Sequence, residues 1–162
     1  MPRPEFQRTA SKVDLLDEIG GEAQFDFVIM TFCELIQEDS SLGPLFKGIH
    51  VDTLVDLMKN LLDATLDIVS SHSAQNESTR NRIVMKNYAI FELGLNKSHF
   101  AKMKVHYESA LHDAWVEDEV FSECMHRFEY LESILEEEGK DFEVAVVEAK
   151  KVAARILNAR CA

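Results

Sequence analysis

Residues 51–69, VDTLVDLMKNLLDATLDIV, carry the longest uninterrupted helical pattern in the chain. Leu54, Leu57, Met58, Leu61, Leu62, Thr65, Ile68 and Val69 fall on one broad face, and Asp52, Asp56, Lys59, Asn60 and Asp63 on the other. A helix so apolar on one side needs several partners, and the pattern on either side supplies them. Ser11, with Asp14 in the capping-box position, opens a short helix through Leu16 and Ile19 that Gly20-Gly21 stops. Phe25, Val28, Ile29, Phe32, Cys33 and Ile36 form the next stripe, ended by Asp39-Ser40-Ser41 and Gly43-Pro44.

Residues 70–82, SSHSAQNESTRNR, hold no apolar side chain larger than alanine and read as a solvated connector. Ile83–Leu93 is a short apolar segment closed by Gly94. Asn96 or Ser98 opens a helix bearing Phe100, Met103, Tyr107, Ala110 and Leu111, and Trp115-Val116 sit in the turn after it. Asp118-Glu119 starts another, with the stripe Phe121, Cys124, Met125, Phe128, Leu131 and Leu135. Beyond Gly139 a narrower, alanine-rich stripe follows: Phe142, Val146, Ala149, Val152, Ala153 and Ile156. No strand alternation and no repeat appears, so the expected class is all-α. The expected organisation is a flexible arm over 1–10, one helical domain over 11–138, and an additional C-terminal helix over 140–162 that packs on its own domain or binds a partner.

Composition narrows the partners. Hydrophobic residues make up 46% and charged residues 28% of the 162, an ordinary balance for one globular domain. The net charge of −12, from 29 acids against 17 bases, repels phosphate backbones and anionic lipid. No apolar run approaches the roughly 20 residues that span a bilayer. The opening MPRPEFQRTASK has no apolar core behind it and is no secretory signal. Three widely spaced cysteines, Cys33, Cys124 and Cys161, without a CxxC, predict free thiols and an intracellular, reducing compartment, the cytoplasm or an organelle.

Chemistry is hard to find. None of His50, His72, His99, His106, His112 and His126 forms an HxxxH or HExxH pair, and the expectation for each is an isolated surface histidine. EF-hand, GxSxG, Walker A and GxGxxG patterns are absent. Cys33 lacks a neighbouring base that would make it a nucleophile.

The order of landmarks does carry a resemblance. Gly20-Gly21-Glu22 after a short helix, Phe32-Cys33, the acidic turn Glu38-Asp39-Ser40 and Leu45-Phe46 resemble the opening of truncated haemoglobins, the two-over-two globins, most closely their group 1. Leu93-Gly94-Leu95-Asn96-Lys97-Ser98-His99-Phe100 is similar to that family's LGI-x-x-x-HF segment, and Val116–Met125 to the start of its last helix. The resemblance covers residues 13–136 and leaves out the tail. It implies a globin-like helical sandwich, with residues 51–69 as the distal helix over a haem and Ile83–Leu93 as the proximal one.

The family's ligand residues are replaced here. The resemblance puts Ile90 at the proximal histidine, Cys33 at the distal tyrosine, Met58 at the distal glutamine and Leu54 at the ligand-facing position, while Phe46 keeps the ring that packs on the porphyrin. Phe32, Leu62, Tyr88 and Phe100 complete the haem-pocket positions. Isoleucine has no lone pair for iron, Cys33 is a weak donor, and Leu54 and Met58 donate nothing. Three readings follow. The first is a haem-free interaction, assembly or regulatory module with no enzymatic activity, its protein partner engaged through 140–162. The second is a globin holding haem b through an unusual ligand, Tyr88, Met85, Met58, His72 or His50, that binds or senses O2 or NO; dioxygenation of NO belongs only to this reading. The third is a sensor holding an apolar ligand or a linear tetrapyrrole between Leu54, Met58, Leu62 and Ile90. The first is favoured, because a buried polar group that has lost its ligand costs a few kcal/mol and every replacement here runs towards apolar.

Overall fold

The computed structural model describes residues 12–67, 83, 87, 89–90, 93, 95–136 and 151. Five α-helices and one 3₁₀ turn make up the described elements: α1 (Lys12–Ile19), α2 (Glu22–Glu38), the turn Gly43–Phe46, α3 (Val51–Asp67), α4 (Lys97–Asp113) and α5 (Asp118–Glu136). No strand occurs among the described residues. The expected arm, connector 70–82 and C-terminal helix fall outside them, Lys151 apart, as do Ile68 and Val69 at the end of the long helical pattern.

Local chemistry sets the helix ends. At Gly20-Gly21 the chain turns from α1 into α2 through a paired bond set. Gly21 donates its N–H to Leu16 O (2.9 Å) and Gly20 to Asp17 O (3.0 Å), with φ of 124° and 94° at Gly20 and Gly21. That pairing closes a helix by a left-handed residue, which glycine adopts at least cost. α2 ends where Asp39 leaves helical geometry and its Oδ1 accepts from the backbone N–H of Ser41 (2.7 Å) and Leu42 (3.0 Å). α4 is opened by Asn96, not Ser98: Asn96 Oδ1 accepts from the His99 N–H, and His99 Nδ1 accepts from the Asn96 N–H, both at 3.1 Å.

The helices pack as two layers. α2 and α3 lie on α4 and α5, with α2 against α4 and α3 against α5, and α1 closes one side. α2 and α4 run antiparallel, because Gln24 at the start of α2 donates to Ala114 O just past the end of α4 (2.9 Å), and Asp39 at the end of α2 meets His106 in its middle. α4 and α5 are antiparallel as well, joined at His112–Phe121, Tyr107–Phe128 and Lys104–Glu129. Between the layers runs an aromatic chain. Phe32 meets Tyr107 edge-on at 6.0 Å, Tyr107 meets Phe128 at 5.3 Å, and Phe128 stacks on Phe100 at 4.9 Å.

Candidate functional site

Leu54, Met58 and Leu62 are spaced four apart on α3, so one strip of the helix carries all three inward. α2 contributes Phe32 and Cys33, the 3₁₀ turn Phe46, and the first turn of α4 Phe100. Ile90 enters from the chain between α3 and α4. All eight belong to one continuous hydrophobic core, and none is more than 5% exposed. Tyr88, Met85 and His72 lie outside the described residues. His50 stands at the start of α3, where its ring accepts from the Asp52 N–H, and its side chain is 75% exposed.

The donor chemistry at these positions is sparse. Cys33 is the one described position of the eight with a titrating group. Burial, aided by the nearby Glu34 carboxylate, pushes its thiol up to about 12. At neutral pH it is therefore a neutral thiol and not the thiolate that ligates metals. Met58 has a thioether, packed on all sides. Among the described residues no group of three or more His, Cys, Asp or Glu side chains is placed to hold a metal ion. No described helix is long and apolar enough to cross a membrane.

Polar chemistry is concentrated elsewhere in the interior. Arg127 on α5 is 1% exposed; its Nε donates to Glu123 Oε1 (2.8 Å) and its Nη1 to Leu66 O in the last turn of α3 (2.7 Å). Tyr107 is fully buried near Thr65, Cys124 and Arg127, and loss of solvent raises its phenol well above the usual range. Thr65 Oγ1 donates to Leu62 O (2.6 Å), and Asn87 Nδ2 to Ile83 O (2.9 Å). Among the described residues Asn87 Oδ1 has no hydrogen-bond partner of ordinary geometry, and Tyr107 Oη has only the neighbouring Thr65 and Cys124 side chains beside it.

Besides His50, three described histidines expected to be isolated on the surface have partners. His106 is half-buried, and its Nε2 meets Asp39 Oδ2 at 2.7 Å. That contact, with the Ser41 and Leu42 N–H bonds, holds the Asp39 carboxyl down to about 2 against the desolvation that opposes it. Lys102 adds a bond to the Ser41 hydroxyl, so α4 grips the turn after α2 at two points. His99 completes the cap of α4, and His112 stacks on Phe121 at 4.4 Å. All three side chains have structural partners. The partners of His106 and Lys102 lie more than 60 residues away. Arg127 is a further interior charge with long-range partners. Its one sequence signal is a charge set inside the apolar run Cys124, Phe128, Leu131 with an acid four residues before it, a spacing equally common on exposed helix faces.

No protein-family model matches the sequence, and no curated protein matches it. The solved structure of Chlamydomonas reinhardtii THB4, a truncated haemoglobin, matches with a TM-score of 0.52 at 20% identity, over 78% of this chain and 99% of that one. The fold is that of a truncated haemoglobin. The two layers, the short α1 and the Gly20-Gly21 corner are then parts of a two-over-two sandwich, as the order of landmarks in the sequence predicts.

Proposed function

We propose that this chain uses the truncated-haemoglobin fold without haem, as an interaction or assembly module with no enzymatic activity of its own. One observation carries the reading: the eight described haem-pocket positions, Phe32, Cys33, Phe46, Leu54, Met58, Leu62, Ile90 and Phe100, are packed against protein and at most 5% exposed. A macrocycle entering there must part side chains already in contact, at a loss of about 25 cal/mol for each Å2 of apolar surface they give up. The donor set points the same way. Iron needs a lone pair from His, thiolate, thioether or phenolate, and Ile90 offers none. The Cys33 thiol is held protonated, and Met58 is a core side chain. Where haem binds in the family, this chain puts core.

The test is one absorption spectrum of protein expressed with excess haem. The expected result is no Soret band. A stoichiometric band that shifts on adding CO overturns the reading and selects the alternative, haem held by an unusual ligand. A Tyr88→Phe variant then identifies or dismisses a phenolate. If the first reading holds, the protein acts through its surface, with a protein and not nucleic acid as partner, as its net charge of −12 favours.

A further inference from the structure

Between α2 and α3 the chain forms a short strap, residues 40–49, built around the 3₁₀ turn. Its backbone bonds stay at home. Gly43 donates its N–H to Asp39 O (2.8 Å), Leu45 to Leu42 O (3.0 Å), Lys47 to Pro44 O (3.4 Å) and Ile49 to Phe46 O (3.1 Å). Among the described residues, none of its backbone–backbone bonds reaches past Asp39. Two apolar side chains seat the strap on the fold. Leu42 and Phe46 are buried in the core, while Ser40, Pro44, Lys47 and Gly48 face solvent. Phe46 is also one of the eight pocket positions, so the strap is part of the wall where the resemblance places a haem.

The two ends of the strap differ. Near α2 it lies tight: a Cβ on Gly43 would stand 2.8 Å from Gln37 O, closer than real contacts allow. At the other end Gly48 has φ 86° and nothing within 4 Å of the place where a Cβ would stand. A glycine in the left-handed region with open space around it lets the chain swing at least cost.

The polar bonds that tie the strap to a distant element come from α4. Asp39 uses both carboxylate oxygens at once. Oδ1 accepts from the Ser41 and Leu42 N–H groups, and Oδ2 meets His106 Nε2. His106 thereby fixes the orientation of the carboxylate that shapes the first turn of the strap. One helical turn earlier on the same face of α4, Lys102 donates to the Ser41 hydroxyl. Both side chains of the His106–Asp39 contact are largely withdrawn from water, which spares it most of the screening that weakens surface pairs. Moving the strap therefore breaks no backbone bond to another helix. It gives up two side-chain contacts and unseats Leu42 and Phe46, which is the make-up of a local opening.

We infer that the strap 40–49 is a gate in the wall of the apolar interior, swinging about Gly48 and latched to α4 by His106 and Lys102. His106 is a positioning residue that acts on the strap through Asp39. The gate goes beyond the haem-free reading and does not depend on it, because the latch uses none of the eight pocket side chains.

The experiment is native-state amide hydrogen exchange on the full chain, read residue by residue across low urea concentrations. The Leu42, Gly43, Leu45 and Ile49 amides should exchange through an opening that urea barely changes, while the Phe32 and Phe128 amides exchange through a larger one that urea promotes steeply. His106→Leu should speed exchange at Leu42 and Gly43 by about tenfold or more, as loss of a hydrogen bond to a charged group does. His106→Gln, whose side-chain amide can still donate to Asp39 Oδ2, should return most of that protection. Lys102→Met should act in the same direction and by less. Three results overturn the proposal. The first is strap amides with the same urea slope as the core, because the strap then opens only when the domain unfolds. The second is a His106→Leu variant that speeds the core amides and leaves the strap unmoved, because the contact then survives the opening. The third is a glutamine variant no better than the leucine one. The urea series on the unaltered chain decides the first point even where His106→Leu does not fold, and a Soret band, present or absent, bears only on the haem-free reading.

Discussion

Two stretches of α3 are equally buried and differently built. Along Leu54, Met58 and Leu62 the helix belongs to a described core of apolar side chains and a protonated thiol. One turn further, at Thr65 and Leu66, it meets a guanidinium, a carboxylate and a phenol. The second region keeps a charge because its partners belong to the chain and never leave: Glu123 is on the same helix as Arg127, and Leu66 O is backbone. The first region is where the fold's relatives by resemblance would direct polar atoms at a ligand. Here the described positions offer only the Cys33 thiol and the Met58 thioether as hetero-atom groups.

Breaking the polar end should cost most. Arg127→Ala leaves the Glu123 carboxylate buried and Leu66 O without its donor, and should lower stability by about 3–5 kcal/mol in urea unfolding. Replacing both charges, Arg127→Met with Glu123→Leu, should recover most of the loss; failure to recover would mean that the pair does more than satisfy itself. On the apolar stretch, Leu62→Ala should cost about 2–5 kcal/mol by leaving a cavity. A cost near 1 kcal/mol would mean that the region is already loosely packed, as a ligand slot would be. Ile90→His sharpens the contrast further. In a closed core the imidazole lacks a partner and should cost about 1–3 kcal/mol with no Soret band. A Soret band in that variant would show that the space opens for a porphyrin once a ligand is supplied.

The ion pair between α2 and α4 should come next. Asp39 is held down to about 2 from an ordinary 3.8, chiefly by its bond to His106. A lowered carboxyl stabilises the fold above the unfolded value and loses that contribution as pH falls through the folded one. Discounted for screening by solvent, about 1 kcal/mol should therefore disappear between pH ~4 and ~2, and Asp39→Asn should flatten that part of the curve. Smallest of all, Phe27→Ser on the exposed side of α2 should change stability by no more than about 0.5 kcal/mol. A large loss would mean that this half-exposed ring serves the fold itself.

The parts of this architecture that were legible in the sequence are those set by near neighbours. Gly20-Gly21 and the Asx-rich turn at Asp39 mark helix ends because the bonds that make them span two to five residues. Core faces are equally readable, since burial follows helical period. Leu54, Met58 and Leu62 repeat every four residues, and all three are buried. What the sequence hid is set by distance along the chain. His106 looks like any surface histidine until Asp39, 67 positions earlier, arrives beside it. Arg127 hid for the same reason, because its second acceptor is a backbone carbonyl, which no residue type announces. The sequence places Trp115 in a turn, but not its 92% exposure, which follows from the left-handed backbone there.

The bond from Arg127 to Leu66 has a consequence in time. Its two ends are 61 residues apart. A ribosome adding about 5–20 residues per second delivers the arginine roughly 3–12 s after the carbonyl it must reach. For that interval the most amphipathic of the described helices has emerged without the group that fixes its end, and its apolar face still lacks α5 to lie on. The nascent chain is then a natural client for holding factors, and slowing translation between residues 67 and 127 should lengthen that exposure and lower the yield of folded protein.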